Sequence, residues 1–440
     1  MIKFNYDRSE VRYGILHFGV GNFHRAHLEY YTNLLLHDSD QKQWGVFGAM
    51  IMPSDKTLYH ALKEDGGIYD LTTCAPNGGN VTYRIGSLVD LAWGEEDPDA
   101  IISAIANAQV KIISLTITEG GYNVDFDAPK SVFWYITEGL KKRMKDNLPI
   151  TILSCDNLQH NGNTAKQAFL SYFTAKCPEL AEWATENVSF PNSMVDRITP
   201  ATKSGKITDV RCEDFVQWVI EDNFKAGRPS WDRVGVQFTD DVAPYENMKL
   251  SLLNGSHSLL CYGAYLEGYR KVDDVMADSR YQRLLLDFMN LDVTPFVPAP
   301  EGIDLNHYKE TLIRRFANPA ISDQVARLCA DGLARFAVYI VPTLKLMFQH
   351  NKNTDRLAFH FANYFKYLTR AITEAGEPIF IDEPHKTDED QAIISRGDMM
   401  EFFKLTPYKD VDFSSQNDFL DKFKLFVSLS VAEGLNILLD

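Results

Sequence analysis

A strand that runs straight into a glycine turn, and from there into a helix, narrows the folds open to this chain more than any other stretch. Residues 11–18 (V-R-Y-G-I-L-H-F) have the mostly apolar character of a buried strand. They lead without a gap into Gly19-Val20-Gly21, and a helical pattern follows through Leu28, Tyr31, Leu34 and Leu35. Strand, glycine turn and helix open a βαβ nucleotide-binding unit. The two glycines allow a tight turn and let a pyrophosphate approach the helix start, whose N–H groups and dipole favour an anion. The third glycine of the full fingerprint is missing, because His24 stands there. Gly19, Gly21, Asn22, Phe23, His24 and Arg25 are therefore the candidate cofactor-binding residues, with His24 and Arg25 expected to bring positive charge to the helix start. The alternative is an ordinary strand–helix turn.

The alternation continues. Residues 44–51 read as a second strand, followed by Asp55. A carboxylate at that place would accept bonds from a ribose 2′-hydroxyl and repel a 2′-phosphate, which favours NAD over NADP. Lys56 beside it weakens that inference, and a helix N-cap role for Ser54 or Asp55 is the alternative. Residues 66–90 suggest a small antiparallel excursion. Helices at 99–108, 131–147 and 164–175 alternate with strands at 110–118 and 150–154, and 188–190 and 194–198 are short extended segments. This predicts an α/β fold with a Rossmann-like, mostly parallel sheet. Beyond Pro244 the pattern turns mainly helical, at 245–269, 279–289, 307–316, 321–335, 354–375 and 416–438. A chain of 440 residues is long for one domain. The expected division is 1–243, a dinucleotide-binding domain, and 244–440, a mainly helical substrate-binding and catalytic domain.

A formal charge of −16 argues against nucleic acid or an anionic membrane as partner, since both attract clustered Lys and Arg. No run of about 18 apolar residues is present. The first residues lack the apolar stretch of a signal peptide. Six scattered cysteines without a C-x-x-C pair fit a reducing compartment. The cytoplasm is the expected location.

The helix expected at 245–262 carries the most concentrated chemistry. On a regular α-helical wheel with Lys249 at zero, Glu246 falls at about 60°, His257 at about 80° and Asn254 at about 140°. An amine, a carboxylate, an imidazole and an amide thus share one side, threaded through Leu250, Leu252, Leu253, Leu259 and Leu260. A solvated face with unrelated polar residues is the alternative. The helix is expected at the seam of the two domains, a common place for small-molecule chemistry. Asn157, just past the strand at 150–154, and Asp196 in D-R-I-T-P are further candidates, against loop capping for Asn157 and a structural ion pair for Asp196 or Arg197. His24 and His27 form H-x-x-H, but catalytic zinc spacing is absent, and no metal is expected. No G-x-S-x-G supports a serine nucleophile.

Taken in order, G-V-G-N-F-H-R-A-H at 19–27, T-E-G-G-Y at 118–122, S-C-D-N at 154–157, V-D-R-I-T-P at 195–200, Lys249-x4-Asn254-x2-His257 and R-F-A-N-P at 315–319 resemble the long-chain mannitol dehydrogenase family, which includes mannitol 2-dehydrogenase, D-arabinitol dehydrogenase and the hexuronate reductases. The resemblance implies zinc-independent, nicotinamide-dependent interconversion of a secondary alcohol and a ketone. It implies Lys249 as general base, Asn157 and Asn254 as amides on the substrate oxygen, and Glu246 as a proton relay. It implies His257, Asp196 and Arg327 as substrate-binding residues, Arg327 through a looser motif. Ala330 departs from the family pattern, which has a histidine there. The chemistry suits the residue types: alcohol oxidation needs a base for the hydroxyl proton while hydride leaves carbon, and amides steady an alkoxide without adding charge. The expected activity is an NAD-dependent polyol dehydrogenase of the mannitol/fructose or arabinitol/xylulose type. A fructuronate/mannonate-type hexuronate reductase is the alternative within the class. A non-catalytic dinucleotide-responsive binding protein is the alternative outside it.

Overall fold

The computed structural model describes residues 1–201 and 205–440, which form two compact units, Met1–Ala243 and Pro244–Asp440. The strands of the first are β1 (Tyr13–Phe18), β2 (Gly45–Met50), β3 (Tyr69–Cys74), β4 (Val81–Ile85), β5 (Leu88–Trp93), β6 (Ile112–Leu115), β7 (Ile150–Ser154), β8 (Val188–Ser189), β9 (Ser193–Asp196), β10 (Val210–Glu213), β11 (Gln217–Glu221) and β12 (Gln237–Thr239). One sheet has the order β5-β2-β1-β6-β7-β8, with every neighbouring pair parallel. From β1 the chain winds outward to one edge, then returns across β1 and winds to the other. That reversal makes the carboxyl ends of β1 and β6 the topological switch point, where doubly wound sheets bind ligands. Phe18 and Leu115 are register partners there.

Burial on both faces explains why β1, β2, β6 and β7 are so apolar. Along β1, Leu16 and Phe18 enter the core on one face of the sheet and Ile15 the core on the other, with His17 on the side of Ile15. The antiparallel excursion expected at 66–90 is present as β3 and β4, which pair with β10 in a separate sheet. Its last part is a correction: β5 is the third strand of the main sheet, not part of the excursion. A third sheet, β12-β11-β9, takes up residues 193–196.

The second unit is helical. Its central helix, Asp355–Arg370, is buried at every position from Leu357 to Leu368. Phe336, Phe402, Phe403 and Phe423 share one core with its Phe361; burying each such ring contributes roughly 1.5–3 kcal/mol. The segment expected as one helix over 245–269 is interrupted. Ala243–Met248 and Gly255–Leu266 are α-helical, but Lys249–Asn254 between them is a π turn. The Gly255 N–H donates to the carbonyl of Leu250, five residues back. The helix expected at 321–335 is likewise two, Val325–Cys329 and Gly332–Tyr339, because Asp331 between them is left-handed at φ +55°. Among the described residues no helix is long and apolar enough to cross a membrane.

Candidate active site

In the first unit the glycine turn follows the carboxyl end of β1, Asp55 that of β2 and Asn157 that of β7, while Asp196 ends β9. Gly19 sits at φ +95°, and a Cβ there would lie 2.1 Å from the carbonyl oxygen of Thr116 beyond β6, so only glycine fits. The Gly19 carbonyl accepts from the N–H of Gly21 at 2.7 Å and from the Thr116 hydroxyl at 2.7 Å. Gly21 is exposed at the cap position of helix Asn22–Ala26, which has no side-chain cap. A Cβ on Gly21 would meet nothing closer than the Gly19 oxygen at 3.9 Å. An uncapped helix start approached over bare glycine backbone fits the diphosphate of a dinucleotide. Phe23, half-buried, stacks on His27 with centroids 5.0 Å apart.

His24 brings no charge to that surface, and Arg25 keeps its guanidinium beneath the helix start, against Gly21 and Asn22, rather than on the surface. Both are buried. Burial, reinforced by the neighbouring Arg25, pushes His24 well below the usual imidazole range, so it is neutral. Its Nε2 lies 3.1 Å from Glu29, and its ring stacks on His17. Arg25 donates to the carbonyls of Thr208 and Gly21 and, at 2.7 Å, to the side-chain oxygen of Asn22. The helix carrying them is only five residues long, ends at Ala26, and has both side chains buried. The Asp55 carboxylate accepts from the Met52 N–H at 2.9 Å as the third residue of the turn Pro53–Asp55; as the cap residue of the helix Lys56–Glu64 it makes no side-chain bond, so the N-cap role weighed in the sequence is not the one it has.

Asn157 is exposed just beyond β7. The loop that carries it is fixed by residues the sequence did not single out. Asp156 is buried and accepts from the N–H groups of Thr118 at 2.9 Å and Ile117 at 3.1 Å and from the Tyr122 hydroxyl at 2.7 Å. Burial raises its carboxyl to about 6, although these three donors pull it down. They hold Thr118 at φ +64°, ψ 168°, a region nearly confined to glycine. Asn161, fully buried, donates to the carbonyls of Asp156 at 3.1 Å and Ser193 at 2.9 Å. Asp196 is buried at the end of β9. Arg197 donates to the carbonyls of Ala26 at 2.7 Å and Glu213 at 3.1 Å and lies over the Tyr30 ring.

In the second unit the π turn regroups the polar face. It absorbs one residue, a rotation of about 100°, so Asn254 moves from about 140° to about 40° from Lys249, and His257 from about 80° to about 20° on the other side. Glu246, Lys249, Asn254 and His257 then share one narrow arc. Glu246 and Lys249 are buried, at 3% and 7% exposure. His257 is buried against Phe316, with centroids 4.2 Å apart. Burial lowers its imidazole to about 3; Asp323 opposes the shift, while Arg327, Arg315 and Arg335 reinforce it. Arg327 donates through Nε and Nη2 to both carboxylate oxygens of Asp323, with the Nε bond at 2.8 Å. Asp323 was missed in the sequence, where only its i,i+4 spacing to Arg327 marked it. Among the described residues no group of three or more His, Cys, Asp or Glu is arranged to hold a metal ion.

A doubly wound parallel sheet with an uncapped glycine turn at its switch point, followed by a helical unit, defines a Rossmann-type dehydrogenase. The chain matches the mannitol dehydrogenase Rossmann domain over residues 13–233 and the mannitol dehydrogenase C-terminal domain over residues 241–424, and it belongs to the mannitol dehydrogenase family of oxidoreductases. It is 36% identical to the polyol:NADP oxidoreductase of Gluconobacter oxydans, over 93% of this chain and 91% of that one. It is 37% identical to the D-mannonate oxidoreductase of Escherichia coli, over 86% of this chain and 85% of that one. Its fold is similar to that of Pseudomonas fluorescens mannitol 2-dehydrogenase, solved as a ternary complex with NAD and D-mannitol, at a TM-score of 0.90 and 35% identity over 100% of this chain and 96% of that one.

Proposed function

We propose that the protein interconverts an acyclic polyol and its ketose, of the mannitol/fructose or arabinitol/xylulose type, by metal-independent hydride transfer with NAD(H). Lys249 serves as general base in oxidation and general acid in reduction. The observation that carries this is the π turn, which groups a buried amine, an amide, an imidazole and a carboxylate on one arc of one helix. The resemblance to the NAD and D-mannitol complex supports the cofactor and substrate class.

A bound nicotinamide would supply the acceptor for the hydride that leaves the carbinol carbon. The Gly19–Gly21 turn, with Asn22 and Phe23, holds the diphosphate. Lys249 Nζ takes the hydroxyl proton, at a position withdrawn from bulk water. The Asn254 amide donates to the substrate oxygen as negative charge develops there. His257, neutral because it is buried, hydrogen-bonds a substrate hydroxyl without placing a cation beside the amine. Glu246, one turn before Lys249, passes the proton on. Asn157, Asp196 and Arg327 enter on the motif resemblance, as a second amide and two substrate contacts, and Asp55 as the ribose contact.

A specific observation favours a second possibility, a hexuronate or hexonate oxidoreductase. The E. coli relative is named for such a substrate.

The test is a substrate panel of mannitol, arabinitol, fructose, xylulose, fructuronate and mannonate, with NAD(H) and NADP(H), before and after EDTA. Turnover of the polyols and ketoses that survives EDTA supports the proposal. Turnover of fructuronate alone replaces it with the acid reading. Binding of NADH without any turnover replaces it with a dinucleotide-responsive binding protein. Undiminished turnover by Lys249→Ala removes Lys249 from the chemistry.

A further inference from the structure

His17 stands out as a polar group in an apolar strand. It lies in β1 at the centre of the main sheet, fully buried, directly before the glycine turn. An aliphatic side chain at this place would fill the core without the desolvation that an imidazole suffers. Each ring nitrogen has a partner. Nδ1 lies 2.8 Å from the Ser114 hydroxyl, and Nε2 lies 3.1 Å from the Gly19 carbonyl and 2.9 Å from the Thr116 hydroxyl. A carbonyl oxygen only accepts, so Nε2 carries the proton and Nδ1 accepts from Ser114.

The Gly19 carbonyl is thus held by the imidazole together with the Thr116 hydroxyl and the Gly21 N–H while the chain passes through its left-handed conformation. Ser114 and Thr116 flank the end of β6, across the switch point from β1. The ring of His24, from the first turn of the helix, stacks on His17. One side chain therefore touches the turn, the neighbouring strand end and the underside of the helix.

We propose that His17 is a positioning residue for the dinucleotide-binding turn: its Nε2–H fixes the Gly19 carbonyl, and its ring supports the helix start, so that the uncapped N–H groups are set for the diphosphate before it arrives. This rests on the Gly19–Gly21 turn being the dinucleotide site. Preorganisation of this kind strengthens binding by removing ordering that would otherwise accompany it. Ser114 acts through His17, by fixing which nitrogen carries the proton.

The test is a fluorescence titration of the full-length chain with NADH and with NADPH, alongside thermal melting and turnover at saturating cofactor. His17→Leu is expected to weaken the better-bound cofactor about tenfold or more, as for loss of one buried hydrogen bond, with kcat at saturation changed less than the Kd. His17→Gln, which restores an N–H in reach of Gly19, is expected to recover much of that loss. Ser114→Ala is expected to weaken binding in the wild-type background and to add nothing to His17→Leu. Wild-type affinity in a folded His17→Leu protein overturns the proposal, as does a full additional effect of Ser114→Ala in that background. If His17→Leu does not fold, unchanged binding in Ser114→Ala overturns it. Failure of the wild type to bind either cofactor overturns the dinucleotide reading itself, and the assigned role with it.

Discussion

The imidazole rings of His17 and His24 lie parallel, with centroids 3.4 Å apart and 8° between their planes. Burial holds both well below the usual imidazole range, and each is pushed further by a neighbour, His17 by His24 and His24 by Arg25. His257 and His360 are likewise lowered to about 3 by burial. The unfolded chain takes up these protons below about pH 6.5 and the folded chain does not. Unfolding therefore binds protons in that range, and the stability these groups allow is lost as pH falls. Melting curves recorded downward from about pH 7 to about pH 5 are expected to show an acid limb that shrinks in His24→Asn. An identical limb in that variant would contradict a neutral His24.

Glu29 works in the opposite direction. Burial raises its carboxyl to about 8 against the pull of the Ser87 hydroxyl. The folded chain keeps this proton after the unfolded one has lost it, so stability is lost as pH rises from about 4.5 to about 8. Glu29→Gln removes that dependence. Its melting temperature relative to the wild type is expected to climb over the same range and then level off; a pH-independent difference would show that Glu29 ionises normally.

The two turn glycines are expected to fail in different ways. Gly19→Ala combines a positive φ with a Cβ placed 2.1 Å from a backbone oxygen, and is expected to lower stability by at least about 1–3 kcal/mol. Gly21→Ala has room for its methyl and an extended backbone, with φ −89° and ψ −173°. It is expected to melt like the wild type but bind NADH at least about tenfold more weakly, because the methyl obstructs the diphosphate. Calorimetry and cofactor titration on the pair check the split; equal stability losses would contradict it.

Lys249→Met is expected to lower kcat by about 100- to 10,000-fold, the range for losing a general base. Cofactor affinity should change far less than kcat, since the residues proposed to hold the diphosphate, Gly19, Gly21, Asn22 and Phe23, are untouched. Rapid-mixing measurements of the chemical step distinguish this from slowed product release. A kcat within about twofold of wild type would contradict the assignment.

Breaking the Asp323–Arg327 pair from its exposed side leaves the carboxylate, at 7% exposure against 50% for the arginine, with the Gln324 N–H as donor but without this countercharge. Arg327→Met is expected to lose about 1–2 kcal/mol, less than a fully buried pair because half the arginine is in solvent. Adding Asp323→Asn should restore part of this, and denaturant unfolding of both variants measures it. A double variant less stable than Arg327→Met would contradict this account.

The sheet and its turn were legible because β1, β6 and β7 are buried on both faces and so read as apolar runs. β5 was not: it is an edge strand carrying an outward Asp90, which pairs with Lys63 at 3.3 Å, and it sits close behind a genuine hairpin. The identity of the polar helix residues was legible, but their grouping was not, because a π turn changes the backbone ladder without altering the side-chain pattern. His24 misled because residue type says nothing about burial: it is buried and neutral, while Arg25 keeps its guanidinium against Gly21 and Asn22, beneath the helix start. Asp156 and Asn161 were hidden by their work, which is to hold backbone groups rather than to meet a ligand.

Lys249 and Asn254 are five positions apart, a spacing that an ordinary α-helix sends to divergent sides. Their convergence is stored in a single surplus residue, Leu250, Ser251, Leu252 or Leu253, none of which supplies a reacting group in the proposed chemistry. The length of that insert matters more than its composition. Most changes of side chain at Ser251 leave the count intact, whereas deletion of any one of the four would close a regular hydrogen-bond ladder. The deletion would yield a better helix and a poorer enzyme, with every catalytic candidate still in the chain.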